Sequence, residues 1–156
     1  IPAMQTRLAD YPGILAEGGA NWWDAFQLIP VSSGFWHAGF QLQVFPVRHH
    51  LANSAFGLRL PGSRLWTGDT RPIPEQLEQY AGNTELIAHD CALQGNPSHT
   101  GIADIQREYS PELQRQLCLY HYASLADADA MREQGFVVAK QLQRFALAMP
   151  SSGLMQ

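Results

Sequence analysis

A chain of 156 residues has the length of one domain and room for one hydrophobic core. Hydrophobic residues at 46% and charged ones at 15% are the make-up of a folded protein and exclude a disordered one. The formal net charge of −4 excludes a broad basic surface for gripping nucleic acid, and no apolar run approaches the roughly 20 residues that a membrane span needs.

Residues 1–25 read as a short helix or irregular segment, in which Trp22-Trp23 packs as part of a loop. From residue 26 the pattern turns β-like. Residues 26–29 and 41–45 alternate, with Ser33-Gly34 between them, and 55–60 form another strand. Pro61-Gly62 is a turn, and 64–67 return as a short strand that runs into Gly68-Asp69-Thr70. Pro72 and Pro74 open a helix over 75–80 that stops near Gly82. A buried strand over 85–88 ends at His89-Asp90, and a polar loop spans 91–100. Residues 100–115 are helical with a break at Ser110-Pro111. A strand over 116–120 ends at His121, Ser124 caps a helix through Glu133, and Gly135 terminates it. Strands over 136–138 and 141–146 follow, and the chain closes in a tail. A β-rich first half and a helix–strand second half predict a mixed α/β layered domain.

The cysteines, Cys91 and Cys118, form no disulfide framework, so a reducing cytoplasm is the default compartment. Cys118, in an apolar run, reads as a small buried hydrophobe. Cys91 follows His89-Asp90 but has no second cysteine at zinc-site spacing.

Among the histidines, His37 reads as a surface or satisfied core residue. Others gather where strands stop, in the phrases Val47-Arg48-His49, Thr67-Gly68-Asp69, Ile87-Ala88-His89 and Leu119-Tyr120-His121. Gly-Asp alone is common turn chemistry. A carboxylate and imidazoles projecting together from neighbouring strand ends are what a divalent metal such as zinc needs. One Asp can also give an oxygen to each of two metals.

As a set, these phrases resemble the metallo-β-lactamase fold, in particular its ribonuclease Z-like and phosphodiesterase-like branches. Val47-Arg48-His49 precedes Phe56-Gly57-Leu58-Arg59-Leu60, Gly68-Asp69-Thr70 is followed by Arg71-Pro72, and His89-Asp90, Ser98-His99-Thr100 and Leu119-Tyr120-His121-Tyr122 come in the family's order. The resemblance covers roughly residues 40–146. It implies an αββα sandwich, of which residues 1–146 would be the C-terminal part and 147–156 a tail. His49 would bind one metal, with His50 as its rival, Asp69 would bridge two, and His121 would complete the second. His99, oriented by Asp90, would stabilise transition-state charge or protonate a leaving oxygen. The cofactor would be two zinc ions, with manganese or iron as alternatives. The activity implied is metal-dependent hydrolysis of a phosphodiester or similar small-molecule ester by metal-bound hydroxide.

The family's upstream His-x-His-x-Asp-His phrase is missing from the sequence. Because the chain begins Ile1-Pro2, the expectation is that a preceding N-terminal segment of the same domain supplies it, and that this chain alone holds metal incompletely. A homodimer is compatible with this picture. Two alternatives are a metal-free interaction or regulatory domain of the same fold and a di-iron redox or oxygen-binding member.

Overall fold

Alternating apolar residues between tight turns build the sheet, and proline- or serine-started helices connect its second half. The computed structural model describes residues 27–83 and 85–148. The expectations for 1–25, Trp22-Trp23 included, and for the tail beyond 148 lie outside the described residues. Contact density separates Ile1–Ser32 from Ser33–Gln156, and every regular element described belongs to the second unit.

Four strands come first: β1 (Gly34–His37), β2 (Phe40–Pro46), β3 (Phe56–Leu60) and β4 (Arg64–Trp66). Each pairs antiparallel with the next. The β1–β2 turn is Ala38-Gly39, both at positive φ (49° and 82°), the twist-matched geometry of a two-residue hairpin. Gly34 lies inside β1, whereas the sequence suggested that Ser33-Gly34 joined two strands. The expected strand over 26–29 does not form in its described part, since residues 27–30 have no regular structure.

The chain then alternates: α1 (Pro74–Tyr80), β5 (Leu86–Asp90), α2 (Ile102–Glu108), α3 (Pro111–Gln116), β6 (Leu117–Tyr120), α4 (Leu125–Glu133) and β7 (Val137–Val138). Proline sits in the first turn of α1 and α3, where its missing N–H costs nothing. The Ser110 and Ser124 hydroxyls accept hydrogen bonds from Leu113 N (3.3 Å) and Asp127 N (3.1 Å), capping α3 and α4. From β4 to β7 the pairing is parallel, and the seven strands lie in sequence order. Right-handed crossovers that all step the same way put their helices on one face of the sheet.

That face carries the core. Phe45, Leu65, Ile87 and Leu119 from the strands meet Ile73, Leu77, Ile105 and Met131, all at 0% exposure. Burial of each such side chain is worth about 1.5–3 kcal/mol. On the opposite face, Val44, Leu58, Trp66, Ala88, Cys118 and Val137 form one row across the register. The expected strand over 141–146 is replaced by a turn and an extended run, because Leu142 adopts φ 62° and Gln143 N closes back on Lys140 O (3.0 Å). Arg64 holds that run, donating to Ala146 O (2.9 Å) with its guanidinium over the Phe145 ring.

The architecture is therefore α/β, a mixed seven-stranded sheet with helices. Among the described residues no helix is long and apolar enough to cross a membrane. Both cysteines are free and buried, and burial foremost pushes the Cys91 thiol up to about 12, so it is no nucleophile.

An ion pair fastens the antiparallel and parallel halves. Glu85, 2% exposed ahead of β5, accepts from Arg59 Nη2 and Nε of β3 (2.7 and 2.8 Å) and from Gly62 N (2.6 Å). Burial alone would raise its carboxyl, but these hydrogen bonds outweigh burial and hold it below the ordinary glutamate value. A lowered folded-state value means the stabilisation is present above the unfolded value near 4.5 and is lost as pH falls through the folded one. Glu85→Gln should cost about 2 kcal/mol in urea unfolding at pH 7, with a smaller difference from wild type below pH ~4. An equal difference at both pH values would contradict this.

Candidate functional site

Strand direction explains where chemistry collects. Because β3 is antiparallel to both β2 and β4, and β5 and β6 run parallel to β4, the C-terminal ends of β2, β4, β5 and β6 share one edge of the sheet. The residues that follow these ends are His49 and His50, Asp69 and Thr70, Asp90 itself, and His121. Ligand sites of α/β sheets lie at that edge.

Asp90 is the centre. Its side chain is at 0% exposure, and Oδ2 accepts from Thr70 N (2.8 Å) and His99 Nδ1 (2.7 Å). A carboxylate oxygen only accepts, so His99 carries a proton on Nδ1, and in the neutral ring Nε2 is the lone-pair nitrogen. Asp90 Oδ1 makes no hydrogen bond, although His121 Nδ1 stands 3.1 Å away. His121 Nε2 is 4.0 Å from Asp69 Oδ1, and both side chains are 46% exposed. Asp69, Asp90, His99 and His121 each offer a ligand atom within 4.8 Å of the others. A buried carboxylate oxygen without a partner, with an imidazole and a second carboxylate beside it, fits a divalent cation.

The backbone is shaped for this cluster. Gly68 sits at φ 66°, a conformation a side chain would strain, and its carbonyl accepts from Tyr120 Oη (2.7 Å) and Thr67 Oγ1 (2.7 Å). His121 itself adopts φ 71°, uncommon for a residue with a Cβ. Gly101 lets the polar loop close, since a Cβ there would meet Gly95 N at 2.2 Å.

His49 and His50 stand to one side. His49 Nδ1 donates to Ser98 O (3.1 Å), and its ring lies 4.9 Å from that of His99 and 3.8 Å from that of His50. Of the three metal ligands expected, Asp69 and His121 come together, joined by Asp90 and His99, while His49 stays outside the four. His37 is exposed on β1.

His89 turns the other way. It shares the core face with Ile87, and Nδ1 donates to Asp90 O (2.6 Å) because a carbonyl cannot donate. Nε2 must then accept from Tyr109 Oη (2.7 Å), which accepts in turn from Ile73 N (2.9 Å). Burial, against the opposing pull of Asp90, lowers His89 to about 4. It is a neutral strut beneath the site.

Thr70 is the residue that sequence reasoning passed over. At 0% exposure, its Oγ1 accepts from Arg48 N (3.1 Å) and donates to Arg71 O (2.7 Å), and its carbonyl accepts from Thr100 N (3.0 Å) and Oγ1 (2.8 Å). One residue thus ties the loops after β2, β4 and β5. Its signal was a hydroxyl directly after Gly-Asp at a strand end. Thr70→Val, nearly isosteric, should lose roughly 1–3 kcal/mol in chemical denaturation by stranding Arg48 N, and Thr70→Ser should recover most of it. Equal stability of the two variants would refute the hub.

Compared with known proteins, the chain matches the family model of the anti-Pycsar protein Apyc1 over residues 8–145. No curated protein matches it. The match corrects the expected family, since the model that fits is Apyc1's and not a metallo-β-lactamase one. It also overturns the expected activity. In place of a phosphodiesterase-like metallo-hydrolase, or the metal-free and di-iron alternatives framed within that fold, the match points to a defence-related function. The physical reason for the error is that parallel strands of α/β sheets commonly project polar residues from one edge, and Gly-Asp is common turn chemistry, so such phrases do not single out a family. The chain belongs to the anti-Pycsar protein Apyc1 family.

Proposed function

We propose that the chain serves an anti-Pycsar, defence-related role by degrading a cyclic nucleotide at the Asp69, Asp90, His99 and His121 cluster. The observation that carries this is the Asp90 carboxylate, buried with one oxygen on His99 and the other without a hydrogen bond. The family match supports the biological setting, and the low basic content favours a small ligand over a polymer.

In this reading His99 handles the proton. Asp90 fixes its Nδ1–H and so directs Nε2 outward, where the ring, 19% exposed, takes a proton from a water that adds to phosphorus and returns it to the ribose oxygen that leaves as its P–O bond breaks. Thr70 N and the His99 ring together hold Asp90 still, so that ring orientation is set before the ligand arrives. Asp69, Asp90 Oδ1 and His121 would hold a divalent cation, with zinc and manganese the first to try and iron the next. Such a cation would supply positive charge against the phosphate group. His49, 4.9 Å from His99 ring to ring, borders the ligand rather than the cation.

The test is direct. Purified chain is incubated with each of the common 3′,5′-cyclic nucleotides, with and without added zinc or manganese, and the nucleotide is followed by chromatography. Consumption of at least one is expected, with His99→Gln and Asp90→Asn slower by roughly a hundredfold or more. Absence of consumption under every condition, or full activity in both variants, would overturn the proposal. Calorimetric titration with zinc should find one equivalent bound, lost in Asp90→Asn and in Asp69→Asn.

A further inference from the structure

Beside the cluster lies a second feature that neither the proton chemistry nor the cation site uses. The segment from Pro46 to Asn53, together with Arg71 and Gln76, lines an open cleft of about 510 Å³. Its lining is mixed in character. Leu51, 78% exposed, offers an apolar side chain, and His50, Arg71 and Gln76 offer polar ones, while Val47 is buried in the core behind them. A cavity of that size takes a ligand of a few hundred daltons, and a mixed lining suits one with an apolar body and a charged end.

The cations lining the cleft are not equivalent. Arg48 is spent on structure, because its guanidinium donates to Pro72 O (2.9 Å) and pairs with Glu75. Arg71 is held only by its backbone: its N donates to Arg48 O (2.7 Å) and its carbonyl accepts from Thr70 Oγ1 (2.7 Å). Among the described residues no carboxylate pairs with its exposed side chain. The neighbouring cluster, by contrast, carries two carboxylates that would repel an anion. An uncommitted guanidinium two residues from Asp69 supplies the opposite charge, in a planar fork that matches a phosphate.

We propose that this cleft is the nucleotide-recognition site, with Arg71 gripping the phosphate and Leu51 packing against the base. The identity of the ligand rests on the function proposed above, whereas the cleft's preference for a phosphate over an uncharged nucleoside rests on Arg71 alone. His49, which lines the cleft and lies against the His99 ring, joins the two regions.

The experiment measures binding and turnover separately on the whole chain. Affinities for 3′,5′-cyclic nucleotides and for the matching uncharged nucleosides are determined by calorimetry with a chelator present. Turnover is then measured with cation added. Wild type should bind the nucleotides more tightly than the nucleosides. Arg71→Ala should weaken nucleotide binding roughly ten- to a hundredfold, with nucleoside binding unchanged and Arg71→Lys intermediate. Leu51→Ser should weaken nucleotide and nucleoside alike. If nucleotides bind through Arg71 but are never consumed, the cleft stands and the proposed activity fails. If they are consumed and Arg71→Ala leaves both affinity and KM unchanged, the activity stands and the cleft is overturned.

Discussion

The Asp90 carboxylate is shut away from water at the end of a parallel strand, and a charge in that position must be answered by its neighbours. One oxygen is answered twice, by the Thr70 amide and the His99 ring. The other faces His121 without an aligned hydrogen bond and opens toward Asp69. Most of what is distinctive nearby follows from this asymmetry. Thr70 must hold a fixed place, so its hydroxyl and carbonyl are tied to the loops on either side. The Gly68 turn must bring Asp69 and Thr70 to the same spot, so Tyr120 and Thr67 clamp its carbonyl.

The fold sets the stage through strand direction alone. A hairpin arrangement feeds β4, and from there every connection is a helical crossover, so four strand ends reach the same edge while the helices cover one face. Beneath the site, the Ile73–Tyr109–His89–Asp90 chain of hydrogen bonds links the helix layer to the strand that carries the carboxylate. Asp90 therefore sits on a rigid element whose backbone is braced from below, which is the condition for a preorganised site. The Arg59–Glu85 pair does the same service farther down the sheet, where the antiparallel and parallel halves meet.

Much of this could be read before any coordinates. All the described strands and helices except β1 were expected from proline, serine and glycine punctuation and from apolar alternation, as at Pro74, Ser110 and Ser124. The strand expected at 141–146 failed because hydrophobic residues there serve a different end, Phe145 lying under Arg64 while Leu142 bends the chain. His89 and Asp90 are adjacent in sequence and point to opposite faces, a consequence of the two-residue period that places His89 with Ile87 in the core. Asp69 and His121 were visible as strand-end residues, but the hub function of Thr70 was not, because hydrogen bonds to two loops distant in sequence leave no local pattern. The family was misjudged for a related reason. Polar residues at the ends of parallel strands report the topology, and topology is shared among many families.

The state of the His99 ring tests the central claim most directly. Long-range ¹H–¹⁵N spectra of the imidazoles distinguish the two neutral tautomers and do not depend on activity. With Asp90 in place, the neutral His99 ring should be the Nδ1–H tautomer, and in Asp90→Asn that preference should weaken toward a mixture. A His99 signal identical in the two proteins would contradict an Asp90-centred site.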